Sequence, residues 1–293
     1  MAETAPLGKI YFLNTGMSDC ILLESEGHYA LIDAAEDTEY PKNKPHLKYK
    51  GYEDAVVDFL LRHCRSADGR VTLDFVLGTH AHSDHLGGFD TVALHEDIRI
   101  LQAYLRPYDH SRVNRMERTF WDNREVHDQM REALGRAGTP VCGEFDGKRL
   151  SLGAMQLTFF YCGTHNTLPI RYGENANSVV TLLEAGGTRV LLAADMNYKT
   201  GDEKRIGKAV GQVDLLKVGH HGTVGSTSAG LLRALKPRIA VVTNKRSGIF
   251  PDVRLKLKRV CKEIYTTVEA DGVCAALYAN GEIRMQTGIM ANP

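Results

Sequence analysis

The stretch His80-Ala81-His82-Ser83-Asp84-His85 places four potential metal ligands within six residues. It follows Leu73 to Gly78, an apolar run typical of a buried strand, and Gly87-Gly88 comes after Leu86. The ligands therefore lie in a loop where a strand ends. Imidazole and carboxylate groups together bind Zn, Mn or Fe. The stretch predicts a catalytic metal site.

Two further sets of potential ligands also follow apolar runs. Asp195 ends the run Leu191-Leu192-Ala193-Ala194, and the pair His220-His221 comes shortly after Leu215 to Val218. Three strands that end in ligands indicate one site at one edge of the sheets. A carboxylate at position 195 can bridge two cations, so the complete set predicts a dinuclear centre.

The rest of the chain predicts an α/β fold in which hairpin strands are followed by helices, a pattern that is repeated in the second half. Gly186-Gly187 and Asn280-Gly281 are hairpin turns by their composition. This pattern favours two sheets with helices outside, and a single domain over residues 1–293. The predicted strands are 10–13, 20–24, 29–33, 73–78, 156–161, 178–184, 189–194, 215–218 and 239–243, and the predicted helices are 52–64, 228–235 and 253–263, with mostly helical character over 107–137.

These ligand sets resemble the motif series of the metallo-β-lactamase superfamily. The resemblance implies a four-layer αββα sandwich and two divalent ions, with zinc favoured and Mn or Fe as alternatives. It implies that His80 and His82 bind the first ion, which we call metal one. Asp84 and His85 bind the second, metal two, and Asp195 bridges both.

The same resemblance implies that either His220 or His221 completes metal two, so both are candidate ligands. Asp84 and His221 are assigned to the catalytic centre. Asp33 ends an early strand, and it is expected to support the ligands from the second shell. Many members of the superfamily carry another histidine on metal one, about 20–25 residues before the bridging aspartate. Residues 171–178 contain none, His165 lies too far away, and water or Asn177 remains for that place.

Two branches of the superfamily share more of the sequence. The hydrolase-like domain of bacterial DNA-uptake channel proteins shares Asn177-Ser178 and the His220 to Thr223 signature. The catalytic module of bacterial phosphorylcholine esterase is similar over about 200 residues, including an insert from Tyr108 to Asn123. The second resemblance implies cleavage of phosphorylcholine-like phosphodiesters by a metal-bridging hydroxide. Its candidate substrate-binding residues are Trp121, Tyr108, Arg112 and Asn177.

Composition limits the alternatives. Lys plus Arg and Asp plus Glu are both 36, so the formal net charge is zero, which disfavours a nuclease without excluding one. A lactonase or thioester hydrolase and a ligand-binding member without catalysis are further hypotheses. The expected partner is a small-molecule or cell-envelope phosphodiester, whereas the oligomeric state is not predicted. No apolar stretch is long enough to span a membrane, and no signal peptide is visible, so a cytoplasmic location is expected, or a secreted one if a leader was removed.

Overall fold

The structure is a computed structural model that describes residues 5–164 and 172–291. Within these ranges it contains seventeen strands and eight α-helices. The strands are β1 (Gly8–Phe12), β2 (Cys20–Ser25), β3 (His28–Ala34), β4 (Val71–Leu73), β5 (Phe75–Gly78), β6 (Ile98–Ile100), β7 (Ala103–Leu105), β8 (Val141–Cys142), β9 (Arg149–Leu152), β10 (Met155–Tyr161), β11 (Val179–Ala185), β12 (Thr188–Leu192), β13 (Leu215–Lys217), β14 (Ile239–Val242), β15 (Glu263–Thr266), β16 (Val273–Leu277) and β17 (Ile283–Thr287). The helices are α1 (Glu53–His63), α2 (Ser83–Leu86), α3 (Phe89–Leu94), α4 (Arg115–Phe120), α5 (Asn123–Arg136), α6 (Asp202–Val210), α7 (Ala229–Leu235) and α8 (Pro251–Val260).

Two large sheets form the centre of the fold. The first has the strand order β17-β16-β1-β2-β3-β5-β7-β8, and the second has the order β15-β14-β13-β12-β11-β10-β9. A short pair, β4 and β6, stands apart. Strands β3, β5, β7 and β8 pair in parallel, as do β12 to β15, while the remaining neighbours in the two large sheets are antiparallel. Parallel neighbours end at the same edge of a sheet, which is why their loops can share a site.

Three buried apolar layers hold these sheets and the helices together. Phe12 of the first sheet and Phe159 of the second belong to the central layer between the sheets. Helices α1, α3 and α5 cover the outer face of the first sheet, for example through Phe59. Helices α6, α7 and α8 cover the outer face of the second sheet, for example through Leu232. The predicted four-layer αββα arrangement is confirmed.

The apolar runs read from the sequence are explained by this layering. In β2, Ile21 and Leu23 face the central layer, whereas Cys20 and Leu22 face the outer layer. A strand buried on both faces carries a continuous apolar run and not an alternating one. The predicted hairpin turns at Gly186-Gly187 and Asn280-Gly281 are also present, between β11 and β12 and between β16 and β17.

The predictions differ from the structure in several places. The strand predicted over 73–78 is divided at Asp74 between β4 and β5, and helix α6 was not predicted. The region 107–137 is not one helical segment, because it contains a single 3-10 turn, the short helix α4 and the long helix α5. The helix predicted over 253–263 ends at Val260, and Glu263 instead begins β15. The sequence does not indicate this strand, because β15 is an edge strand whose first residues are exposed or half-buried. It therefore lacks the apolar run of a buried strand. Among the described helices, none is long and apolar enough to cross a membrane.

Candidate metal centre

The candidate ligands come from loops at one edge of both sheets. His80 follows β5, Asp195 follows β12, and the pair His220-His221 follows β13. Ala194, His220 and His221 have positive φ angles of 44°, 48° and 50°, respectively. Such left-handed backbone is rarely adopted by residues with a side chain and costs about 1–3 kcal/mol per residue. The loops turn sharply at the ligands, and strained backbone of this kind is common at functional sites.

The first cluster contains His80, His82 and Asp195. One potential ligand atom of each residue lies within 4.8 Å of the others. His80 Nε2 is 3.1 Å from His82 Nδ1 and 3.8 Å from Asp195 Oδ2. All three residues are buried, so the donor atoms face each other in the interior.

The second cluster contains Asp84, His85 and His221, again with ligand atoms within 4.8 Å of one another. His221 Nε2 is 3.2 Å from Asp84 Oδ2. Asp195 Oδ1 is 3.4 Å from His85 Nε2 and 3.5 Å from His221 Nε2. The two oxygens of Asp195 therefore face different clusters, Oδ2 the first and Oδ1 the second.

The donor atoms of the second cluster fit a cation. His85 Nε2, His221 Nε2 and Asp195 Oδ1 are buried and have no hydrogen-bond partner. Buried polar atoms without partners cost about 1–3 kcal/mol each, so their convergence needs a reason. Nitrogen and carboxylate donors suit Zn, Mn or Fe, so the residues present fit a divalent ion.

The two neighbouring histidines differ in their surroundings. The His221 side chain is buried and belongs to the second cluster, whereas 28% of the His220 side chain is exposed. His220 Nε2 is 3.8 Å from Asp195 Oδ2, on the side of the first cluster. Its Nε2 also lies 3.0 Å from Asn175 Nδ2, and its Nδ1 lies 3.3 Å from the carbonyl oxygen of Val224. The sequence did not indicate which of the two histidines belongs to the second cluster. In the structure, His221 lies in that cluster and His220 lies beside the first.

Buried carboxylates contact the ring nitrogens that face away from the clusters. Asp33 Oδ2 lies 2.7 Å from His85 Nδ1, and the carboxylate also accepts hydrogen bonds from the backbone N–H and hydroxyl of Thr79. Asp19 Oδ1 lies 3.3 Å from His221 Nδ1 and accepts a 2.6 Å hydrogen bond from Thr243 Oγ1. Such partners fix the orientation and tautomer of a metal-binding imidazole.

Charge within the clusters is balanced between acids and histidines. Burial by itself would raise the pKa of Asp195, but His221, His85 and His220 outweigh it and hold this pKa well below its usual range. Burial lowers the pKa of His221, but Asp195 and Asp19 outweigh it and raise the pKa to about 9. The pKa of His85 is also raised, against burial, by Asp195 and Asp33. Burial together with His85 and His82 lowers the pKa of His80 well below its ordinary value.

The four predicted substrate residues differ in what they contact. The Trp121 ring is near the His82 ring, with centroids 5.3 Å apart at an angle of 30°. Tyr108 shares a cavity of about 230 Å³ with Trp121. Arg112 donates a 3.1 Å hydrogen bond to the carbonyl oxygen of Gly163, and the Asn177 amide donates a 2.9 Å hydrogen bond to Glu174. His165 lies outside the described residues.

Sequence reasoning did not single out Asp19, Asn175 or Glu117. Asp19 comes directly before β2, and β2 is antiparallel to β3, so the start of one strand lies at the same edge as the end of the other. The position of Asp19 before an apolar strand could therefore have predicted that its carboxylate lies near the ligands. Asn175 contacts His220 and Glu117 contacts His82, but neither follows an apolar strand. Nothing local distinguishes these two residues from surface polar residues.

Comparison with known proteins gives the family. Residues 13–243 match the family model described as the metallo-beta-lactamase superfamily, which is most of the chain. The protein belongs to this superfamily, whose members are generally metal-dependent hydrolases. In fold it is similar to the metallo-beta-lactamase fold protein YhfI from Bacillus subtilis, with a TM-score of 0.54 and 14% identity over 88% of this chain and 96% of that one.

Two curated relatives are a recombination protein and a ComE operon protein of bacteria. Recombination protein 2 of Haemophilus influenzae is 34% identical over 90 residues, which is 31% of this chain and 11% of that protein. ComE operon protein 3 of Bacillus subtilis is 24% identical over 247 residues, which is 80% of this chain and 28% of that protein. The chain thus spans less than a third of either relative. The predicted resemblance to the DNA-uptake channel proteins is confirmed, and the resemblance to phosphorylcholine esterase stays a prediction.

Proposed function

We propose that this protein is a dinuclear metal-dependent phosphodiesterase. The proposal rests on the position of Asp195, whose two carboxylate oxygens face two different clusters of buried donor atoms. Several of these donor atoms have no hydrogen-bond partner. His80, His82 and Asp195 would hold metal one, and Asp84, His85, His221 and Asp195 would hold metal two. When bound about 3.5–4 Å apart, two such ions supply an activated water and neutralise charge on phosphoryl oxygens.

His220 has a separate role in this proposal. It is partly exposed beside the first cluster, and it is held through Nδ1 by the Val224 carbonyl. With Nδ1–H donated to that carbonyl, Nε2 of the neutral ring accepts from the Asn175 amide, so donation to a phosphoryl oxygen requires the protonated ring and the release of Asn175. One donor of this kind typically changes kcat by about 10²–10³-fold.

A phosphorylcholine-like ester is the substrate class that we favour. A cavity of about 250 Å³ reaches Asp84, and its apolar wall includes Met17, Tyr49, Tyr52 and Trp121. Aromatic rings attract quaternary ammonium groups through their π faces, at about 0.5–2 kcal/mol per ring. Tyr49 thus joins Trp121 as a candidate contact for the cation, in addition to Tyr108 on the other side of Trp121, whereas the Tyr52 ring already lies 4.9 Å from the Lys50 ammonium. Arg112 and Asn177 remain candidates for contact with the rest of the substrate.

A nuclease is the second candidate. It is favoured by the similarity to Recombination protein 2 of Haemophilus influenzae. A phosphodiester bond is common to both substrates, so the same metal clusters would serve either. The zero net charge of the chain weakens this alternative, because a nucleic-acid backbone is normally bound by a basic surface.

Four substrates measured side by side test the proposal: nitrophenyl phosphorylcholine, bis-nitrophenyl phosphate, single-stranded DNA and a lactone. We expect metal-dependent turnover of the first two. Trp121→Ala should raise KM for the choline ester while leaving bis-nitrophenyl phosphate turnover nearly unchanged, and Phe120→Ala, a neighbouring exposed aromatic, is the matched control. Turnover of DNA above the choline ester would favour the nuclease, and turnover of the lactone alone would contradict phosphodiester chemistry.

A further inference from the structure

The imidazole of His82 lies between a cluster and a carboxylate. Its Nδ1 faces His80 Nε2 at 3.1 Å, whereas its Nε2 is 3.4 Å from Glu117 Oε2. A neutral imidazole carries a proton on one nitrogen and a lone pair on the other. If Nε2–H donates to Glu117, the lone pair on Nδ1 points into the first cluster, as a metal ligand requires.

The carboxylate of Glu117 is itself held in place by three donors. Asn123 Nδ2 and the backbone N–H of Glu174 donate to Oε2 at 3.1 and 2.8 Å, and Asn114 Nδ2 donates to Oε1 at 3.2 Å. The side chain is only 15% exposed. Such a fixed carboxylate leaves His82 little choice of ring orientation.

Glu117 belongs to the insert that the superfamily ligand motifs do not include. Helix α4 places it, with Asn114 capping the helix by accepting a hydrogen bond from the Glu117 N–H. We infer that Glu117 is a positioning residue that sets the orientation and tautomer of His82, so the insert controls the affinity of metal one. This inference rests on the metal centre proposed above. Glu117 contacts the ring nitrogen opposite the cluster, which is why we assign it no direct contact with the ion.

Zinc titration of the metal-free protein against a competing chelator tests this role without any substrate. In Glu117→Ala we expect one of two zinc affinities to fall about 10–100-fold, the usual effect of losing such a partner, while the other stays unchanged. Glu125→Ala is the matched control, because Glu125 is 53% exposed and pairs with Lys44 on the surface. The control should bind both ions like the wild type.

Gly173→Ala gives a second route to the same result. A Cβ at position 173 would overlap Glu117 Oε1, while the φ angle of −72° is ordinary for alanine. The Glu117 carboxylate must therefore leave its position beside His82, and the same single affinity should fall.

The outcomes are distinguishable. Two unchanged affinities in Glu117→Ala would overturn the inference, and so would an equal loss of both, since that indicates a general loss of structure. A wild type that binds no zinc, manganese or iron would instead contradict the proposed function.

Discussion

Asp19 and Lys217 form an ion pair in the interior, with both side chains at most 1% exposed. The same carboxylate contacts His221 Nδ1 and accepts a hydrogen bond from Thr243, which is 224 residues away along the chain. Burial by itself would raise the pKa of Asp19, but Lys217 and His221 outweigh it and keep this pKa well below its usual range. The pair thus joins the start of β2 to the end of β13 directly beneath a candidate ligand.

Lys217→Met should reduce the free energy of unfolding of the metal-free protein by about 3–5 kcal/mol, because it leaves a buried carboxylate without its partner. Adding Asp19→Asn should recover part of this loss, since the charge is then removed. Denaturant unfolding measures both. Arg65→Met is the control, because its pair with Asp97 is exposed and worth about 0–1 kcal/mol. Equal losses of unfolding free energy in Lys217→Met and the control would show that the buried pair contributes no more to stability than an exposed pair.

His221→Ala and His220→Ala should have different effects on metal content. The first removes a member of the second cluster, so the purified variant should hold one ion less than the wild type. The second should retain both ions and lose about 10²–10³-fold in kcat. Metal analysis by mass spectrometry with steady-state kinetics separates them. The reverse result would exchange the roles that we propose for the two residues.

Zinc binding to the metal-free protein at pH 7 should release protons. The pKa of His221 is raised to about 9, so its ring is charged at pH 7, and the pKa of His85 is raised in the same direction, whereas a ligand imidazole must be neutral. Calorimetry in buffers of different ionisation enthalpy counts the protons. His221→Ala should release fewer, and an absence of release would contradict the assignment of these ligands.

The same shifts predict how the metal-free protein responds to pH. A raised histidine pKa means that the charged form stabilises the fold; for His221 this contribution is complete below pH 6.5 and is lost as the pH rises through about 9. The melting temperature should therefore fall over this range and should fall less in His221→Ala. A parallel decline in both proteins would mean that other groups are responsible.

Asp195→Ala should weaken both ions and abolish metal-dependent hydrolysis, because the two oxygens of this carboxylate face different clusters. Equilibrium dialysis with zinc and an assay on bis-nitrophenyl phosphate measure the two effects. Asp128→Ala, an exposed acid on α5, is the control. If activity survived with both ions bound, Asp195 would not be the bridge.

Much of the layered fold was predictable, because short stretches of sequence indicate its strands and hairpins. Continuous apolar runs such as Cys20 to Leu23 indicate strands buried on both faces, and paired glycines indicate hairpins. The prediction was wrong for residues 261–263, because the helix ends at Val260 and Glu263 begins β15 by pairing with Ile239 of β14. Edge strands with exposed residues lack the apolar run that signals a buried strand.

The sequence by itself determined the superfamily, the layered architecture and the strands that end in potential ligands, because each is encoded by neighbouring residues. Only the tertiary structure distinguished His221 from His220 and placed Asp19, Glu117 and Asn175 against the site. Those contacts join residues that are 35 to 224 positions apart, as between Glu117 and His82 or Asp19 and Thr243. Contacts at such separations depend on how the sheets, the loops and the insert pack together, and for Glu117 and Asn175 the neighbouring sequence gives no sign of them.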